Sequence, residues 1–297
     1  MAMTEKFAGK RIVIYMILKL NLHCGRISLT ATLLFCVLPL EQFMGLENPK
    51  NYRFFREEDL PMISGNGTGV RQNGLINGKV IICAALTDEQ AYPWQADWYR
   101  EKIASEYKGN IEDISRLRYF DNTLHDDSSR SKYELYTTTY VSGLRQALID
   151  LAAWVEKGIV PLSSTNYSVD SGKVTVDCKA GERGGLQAVP NLTANGMKST
   201  CIKAGEEVEF VVKAEVPEGA GVLASVEWSF EGETEFIKEG EWELSSNGRC
   251  GIARATHTYV KEGTYFAVVR IASERNGRAE EIFTQILNID RARVIVE

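Results

Sequence analysis

The sequence predicts two domains of different class: an α/β layer built on a parallel sheet with flanking helices, followed by an all-β sandwich. Three observations predict it. Between Gly78 and Gly158 strand-like apolar runs alternate with helix-spaced ones, the pattern of a sheet with crossover helices. From Pro161 the helical spacing disappears and short alternating runs recur to the C-terminus. The balance of 44% apolar and 25% charged residues over a chain of 297 suits two packed cores and excludes disordered, collagen-like and coiled-coil classes.

Residues 1–46 are an N-terminal extension holding two apolar runs, Ile12 to Leu18 and Ile27 to Leu40. Neither reaches the roughly 18 residues a membrane span needs. Lys6, Lys10 and Arg11 precede the first run as in a secretory leader, but no A-x-A site follows. A buried segment and a start foreign to the native domain are the competing readings. Asn48 to Gly78 reads as a long glycine-rich loop; Gly65, Gly67 and Gly69 follow no apolar strand and no G-K-[ST] occurs, so a phosphate loop is not supported.

The run Lys79 to Leu86, bounded by Gly78 and Asp88, is a strand buried on both faces. Gln95 to Tyr107 places Tyr99, Ile103 and Tyr107 at helical steps, and Arg116 to Phe120 is a second strand. Tyr133 to Lys157 is an amphipathic helix with Leu144, Leu148, Leu151 and Val155 on one face and Gly158 as its stop. The domain therefore runs over 47–160. A hairpin around Asp170-Ser171-Gly172 and a linker occupy 161–185, and 186–297 form the sandwich.

In open α/β sheets, reactive groups gather beyond the carboxyl ends of the strands. Asp88 follows the first strand and His125 the second, and a helix comes next. This is the chain order of the last two members of a Ser…Asp…His triad, in which the carboxylate fixes the imidazole tautomer and the other ring nitrogen accepts the nucleophile's proton. Glu89, Asp97 and Asp121 compete as the acid, and a surface or capping role is the alternative for His125.

The stretches Gly78 to Arg100, Arg118-Tyr-Phe-Asp-Asn-Thr-Leu-His125 and Ala152 to Gly158 resemble the C-terminal part of secreted-type α/β-hydrolases of the tannase and feruloyl-esterase kind. The resemblance implies acyl hydrolysis of an ester substrate, catalytic roles for Asp88 and His125, and an extracellular or cell-surface location. Trp94 and Trp98 are candidates for a substrate pocket, or for core. The departure is large. Glycines four apart occur only at Gly65/Gly69, Gly74/Gly78 and Gly181/Gly185, with Gly67, Ile76 and Arg183 between them, so the G-x-S-x-G elbow is missing. Ser64 lies in the glycine loop and Ser142 inside a helix, and neither replaces it. The chain is expected to be inactive alone, or to associate with a chain supplying the missing strands.

The sandwich is read from seven runs: Leu186 to Leu192, Glu207 to Val216, Leu223 to Phe230, Gly251 to Tyr259, Thr264 to Ala272, Ile282 to Ile289 and Ala292 to Val296. Val226-Glu-Trp-Ser-Phe230 and Ala255-Thr-His-Thr-Tyr259 through Gly263-Thr-Tyr265 to Ile271 resemble the polycystic-kidney-disease (PKD) domain, an immunoglobulin-like sandwich, with Ser229 where that family usually has Asp. Trp228 is expected between the sheets, Tyr259 and Tyr265 beside the Gly263 turn, and His257 tying backbone across an edge rather than binding metal. Alternating glutamates from Glu231 to Glu243 suggest a solvated acidic hairpin in preference to a calcium site.

No cofactor or metal is implied: the six cysteines form no C-x-x-C pair, and Cys201–Cys250 is the one disulfide to test, two free buried thiols being the alternative. A net charge of −6 gives no footprint for nucleic acid or an anionic membrane. Two functions remain: the C-terminal segment of an esterase-like hydrolase, or a non-catalytic module that contacts a carbohydrate or protein surface through the sandwich.

Overall fold

A computed structural model describes residues 73–125, 127, 134–232, 236, 238–275 and 284–297, together with the backbone of Lys10–His23 and Arg26–Pro39. Expectations resting on Ser64, on the Gly65–Gly69 cluster and on Glu233 and Glu235 of the acidic hairpin lie outside the described residues. No described helix is long and apolar enough to cross a membrane.

The first sheet contains β1 (Lys10–His23), β2 (Arg26–Pro39), β3 (Lys79–Ala85) and β4 (Ser115–Phe120) in the order β2-β1-β3-β4. Strands β3 and β4 are parallel, from Val80↔Ser115 to Ala85↔Phe120. The rest is not: β1 pairs antiparallel with β2, and with β3 from Leu18↔Ile81 to Leu20↔Lys79. The expected parallel sheet is therefore corrected to a mixed sheet with a single parallel pair, which is not an α/β-hydrolase sheet. The short connection between the two N-terminal apolar runs permits only a hairpin, because parallel neighbours need a crossover of a dozen residues or more. The hairpin then pairs with the Lys79–Ile81 part of the β3 edge.

The outer edge of β4 is covered differently. Leu117 N donates to Ser164 Oγ (3.0 Å), Tyr119 N donates to Thr165 Oγ1 (3.2 Å), and Thr165 N donates to Leu117 O (2.9 Å). Two hydroxyl side chains thus stand in for a neighbouring strand, which protects the edge from pairing with another molecule.

Helix α1 (Trp94–Glu106) packs Ala96 and Ile103 against Leu117 and Tyr119. Trp98, 42% exposed, is not core. Helix α2 (Val141–Lys157) starts later than the spacing predicts. The residues before it are tied to the loop after β4 by Thr138 N donating to Asn122 O (2.6 Å), and Thr139 Oγ1 accepts from Val141 N (3.1 Å). Its buried face is Gly143, Ala147, Leu151 and Trp154 with Ser142, Gln146 and Asp150, whereas Leu144, Leu148 and Val155 are only half-buried. Gly158 ends the helix in the left-handed region at φ 68°, donating to Ala153 O.

Strands β5 (Tyr167–Asp170) and β6 (Lys173–Val176) form the expected hairpin; Ser171 (φ 50°) and Gly172 (φ 79°) supply the two positive φ angles of its turn. The segment is not a loose linker. Tyr167 Oη donates to Asp97 Oδ1 at 2.5 Å, and its ring meets Tyr119 edge-on at 4.9 Å. The following turn of helix, α3 (Ala180–Arg183), lies on the path to the sandwich.

The sandwich has β7 (Val189–Ala194), β8 (Ser199–Ile202), β9 (Glu207–Glu215), β10 (Val222–Ser229), β11 (Lys238–Gly240), β12 (Glu243–Leu244), β13 (Cys250–Thr258), β14 (Gly263–Glu274) and β15 (Ile286–Val296). One sheet runs β11-β10-β14-β15-β8, the other β12-β13-β9-β7. The last two apolar runs are one strand, β15, while β8, β11 and β12 are too short to register as runs. Alternation works as expected: in β9, Val208, Phe210, Val212 and Ala214 point inward. Trp228 is fully buried in the shared core with Phe210, Phe230 and Tyr259.

That core also contains Phe120 from β4. Around it, Gln187 Nε2 donates to Asp121 O (3.1 Å) and Leu287 O (2.8 Å) while its Oε1 accepts from Asp121 N (2.7 Å). The two domains therefore meet through apolar packing and saturated hydrogen bonds.

Candidate functional site

Parallel pairing brings the carboxyl ends of β3 and β4 to the same end of the sheet, and each strand is followed by a constrained loop. After β3, Asp88 Oδ1 accepts from Gln90 N (2.8 Å) and Ala91 N (2.6 Å), an Asx turn that holds the carboxylate in one orientation. After β4, Thr123 Oγ1 donates to Phe120 O (2.8 Å), and Thr87 Oγ1 donates to Thr123 O (2.5 Å), joining the loops.

The result is a carboxylate–imidazole pair. His125 Nδ1 lies 3.1 Å from Asp88 Oδ1 and 3.0 Å from Oδ2, both side chains about one-tenth exposed. Such a carboxylate holds the proton on Nδ1 and leaves Nε2 as the nitrogen able to accept one. The competing acids are elsewhere: Asp97 accepts from Tyr167, and Asp121 Oδ2 lies 3.4 Å from Arg183 Nη1. Glu89 Oε2 accepts from the backbone N of His125 and its Oε1 from Gln90 Nε2, each at 3.5 Å.

No nucleophile stands out among the described residues. Ser142 is buried in the first turn of α2. Burial pushes the Cys83 thiol up to about 11, keeping it protonated and unreactive. Cys201 and Cys250 are free and exposed on different sheets, which corrects both the disulfide and the buried-thiol expectations. His257 also differs from expectation: its Nε2 pairs with the Glu231 carboxylate at 2.9 Å, and its ring stacks on Phe230.

Sequence reasoning missed a buried ion cluster under α2. Arg118, 1% exposed, bonds Asp150 Oδ2 at 2.6 Å, and Asp150 also accepts from Gln146 Nε2 (2.8 Å) and Arg275 Nη1 (3.0 Å). The signal for it was Asp150 on the apolar face of a helix, four and three residues from Gln146 and Ala147 on one side and four from Trp154 on the other.

The sandwich's inter-sheet Trp228, and Tyr259 Oη donating to Phe230 O at 3.0 Å, lie within residues that match a family model described as the PKD domain, over 191–286. Solved structures similar to part of this chain include the CARDB domain of a Pyrococcus furiosus protein, at 17% identity over 36% of this chain and 94% of that one, TM-score 0.25. A second structure of that CARDB domain, in complex with di-metal ions, matches at 14% identity over 37% and 88%, TM-score 0.27. The major subunit of aggregative adherence fimbriae type I from Escherichia coli matches at 9% over 37% and 96%, TM-score 0.25. No curated protein matches the chain. The α/β-hydrolase resemblance of residues 46–160 finds no counterpart in these matches.

Proposed function

We propose that the chain acts as a binding protein, its PKD domain contacting a carbohydrate or protein surface at or outside the cell, with the α/β layer as a rigid base. The match over 191–286 carries this reading, because PKD domains are typically non-catalytic interaction modules common in extracellular and surface proteins. Sedimentation of the full chain with insoluble cellulose, chitin, pectin or collagen tests it. Retention on one of these supports the reading; recovery in the supernatant with all four counts against it.

One observation favours a second reading. The Asp88–His125 pair, at 3.0 Å, supports a general-base role in serine-type ester hydrolysis with the hydroxyl supplied from outside the described residues. Hydrolysis of p-nitrophenyl acetate by wild type and His125→Ala separates the readings. A rate that falls at least about a hundredfold supports general-base chemistry; equal rates remove it.

A further inference from the structure

A cleft of about 540 Å³ lies on the seam between the domains, lined by Asp121 from the loop after β4, Arg183 from α3, and Asn191 and Arg291 from β7 and β15. Neither Asp88 nor His125 lines it. Its size falls within the usual range for small-molecule sites.

The polar groups facing it are unevenly committed. Lys198 and Asp290 already pair with each other. Arg183 is 8% exposed; its Nε donates to Asp177 O at 2.5 Å and its Nη1 reaches Asp121 only at 3.4 Å, leaving Nη2 without a protein acceptor among the described residues. Arg291 has no carboxylate partner there and stacks on Tyr136 at 5.0 Å. The side chain of Asn191 makes no hydrogen bond there either, while Asp121 Oδ1 accepts only from Asn122 N, at 3.0 Å. Two guanidinium groups with spare donors, an amide and a carboxylate thus face one polar space in a chain whose net charge is −6.

We propose that this cleft binds a small carboxylate-bearing sugar of the uronic-acid class. The guanidinium groups of Arg183 and Arg291 take the carboxylate, for which a planar donor fork is suited. Asn191 and Asp121 take ring hydroxyls, the amide donating and accepting and the carboxylate accepting. A neutral hexose leaves the guanidinium pair unanswered. A simple carboxylate leaves the Asn191 side chain without a partner and gives Asp121 none beyond Asn122 and Arg183. The ligand is a small molecule held by both domains, so this site goes beyond the surface contact proposed for the PKD domain, and either reading can fail without the other.

Isothermal titration of the full chain with galacturonate and glucuronate, against galactose, glucose and acetate, tests the proposal. Saturable binding of a uronate with Kd at or below about 1 mM is expected, with galactose, glucose and acetate each at least about tenfold weaker. Arg291→Gln and, separately, Asn191→Ala should each weaken the uronate about tenfold or more with an unchanged melting temperature. Binding unchanged in both variants, acetate binding as well as the uronate, or no saturable binding would overturn it. Retention on pectin that survives Arg291→Gln alongside a failed titration would leave the PKD reading standing and remove this one.

Discussion

Asn122 Nδ2 donates to Asn288 Oδ1 at 2.9 Å, joining the loop after β4 to strand β15. Asn288 is 1% exposed and also donates from Nδ2 to Ala188 O at 2.8 Å. Phe120, two residues before Asn122, belongs to the sandwich core, so the two domains share both a hydrophobic and a polar boundary. Asn288→Ala leaves the Asn122 amide only its bond to Ile289 O (3.1 Å), strands the Ala188 carbonyl, and should cost about 1–3 kcal/mol. Urea titration followed by tryptophan fluorescence measures it. Wild type should unfold in one transition; two well-separated transitions would show that the seam does not couple the domains.

The Arg118–Asp150 pair is the most buried ion pair among the described residues. Asp150→Ala leaves Arg118 without its counter-charge, and a loss of about 3–5 kcal/mol is expected. The double variant Arg118→Met/Asp150→Leu should recover part of that, because it removes the unpaired Arg118 charge while Gln146 and Arg275 still lose their acceptor. Denaturant midpoints of the single and double variants decide it; a double variant no better than Asp150→Ala contradicts this account.

Glu112 predicts an acid dependence. Burial acts to raise its pKa, but the hydrogen bonds from Ser164 and Arg100 and the charge of Arg116 outweigh that and lower it. A carboxylate whose folded pKa is depressed contributes stability above the unfolded value, near 4.3, and loses it as pH falls through the folded value. Glu112→Gln should therefore destabilise at neutral pH, by about 1 kcal/mol for a partly exposed group, and match wild type in stability below the folded pKa. A deficit equal at pH 7 and in acid would contradict a charge effect.

Gly143 faces the ring of Phe120 so closely that an added Cβ would sit 2.4 Å from Cε1. Gly143→Ala must displace a ring that is 2% exposed, and a cost of about 1–3 kcal/mol is expected. Gly181→Ala is the control, since nothing lies within 4 Å of its added Cβ. Thermal melts should show a fall for the first and no loss for the second.

Much of the architecture was legible along the chain, for a local reason: the strands β3 and β4, the β5–β6 turn and the inward alternation of β9 are written in neighbouring residues. The stop of α2 at Gly158 and the PKD signature around Trp228 are likewise local. The face of α2 was not legible, because Gly143 and Asp150 are buried by what Phe120, Arg118 and Arg275 bring to them from other elements. Strand direction in the first sheet was legible only for β3 and β4, and the parallel sheet expected from spacing failed at β1, since pairing of β1 with β3 is a choice between distant segments. The Asp88–His125 contact lies between these cases: position after two strands nominated both residues, and only the parallel register of those strands, with the Asx turn at Asp88, brought carboxylate and imidazole into bonding distance. Local pattern determined which segments become strands or helices; three-dimensional packing decided which side chains meet, because burial and charge pairing depend on neighbours that are remote in sequence.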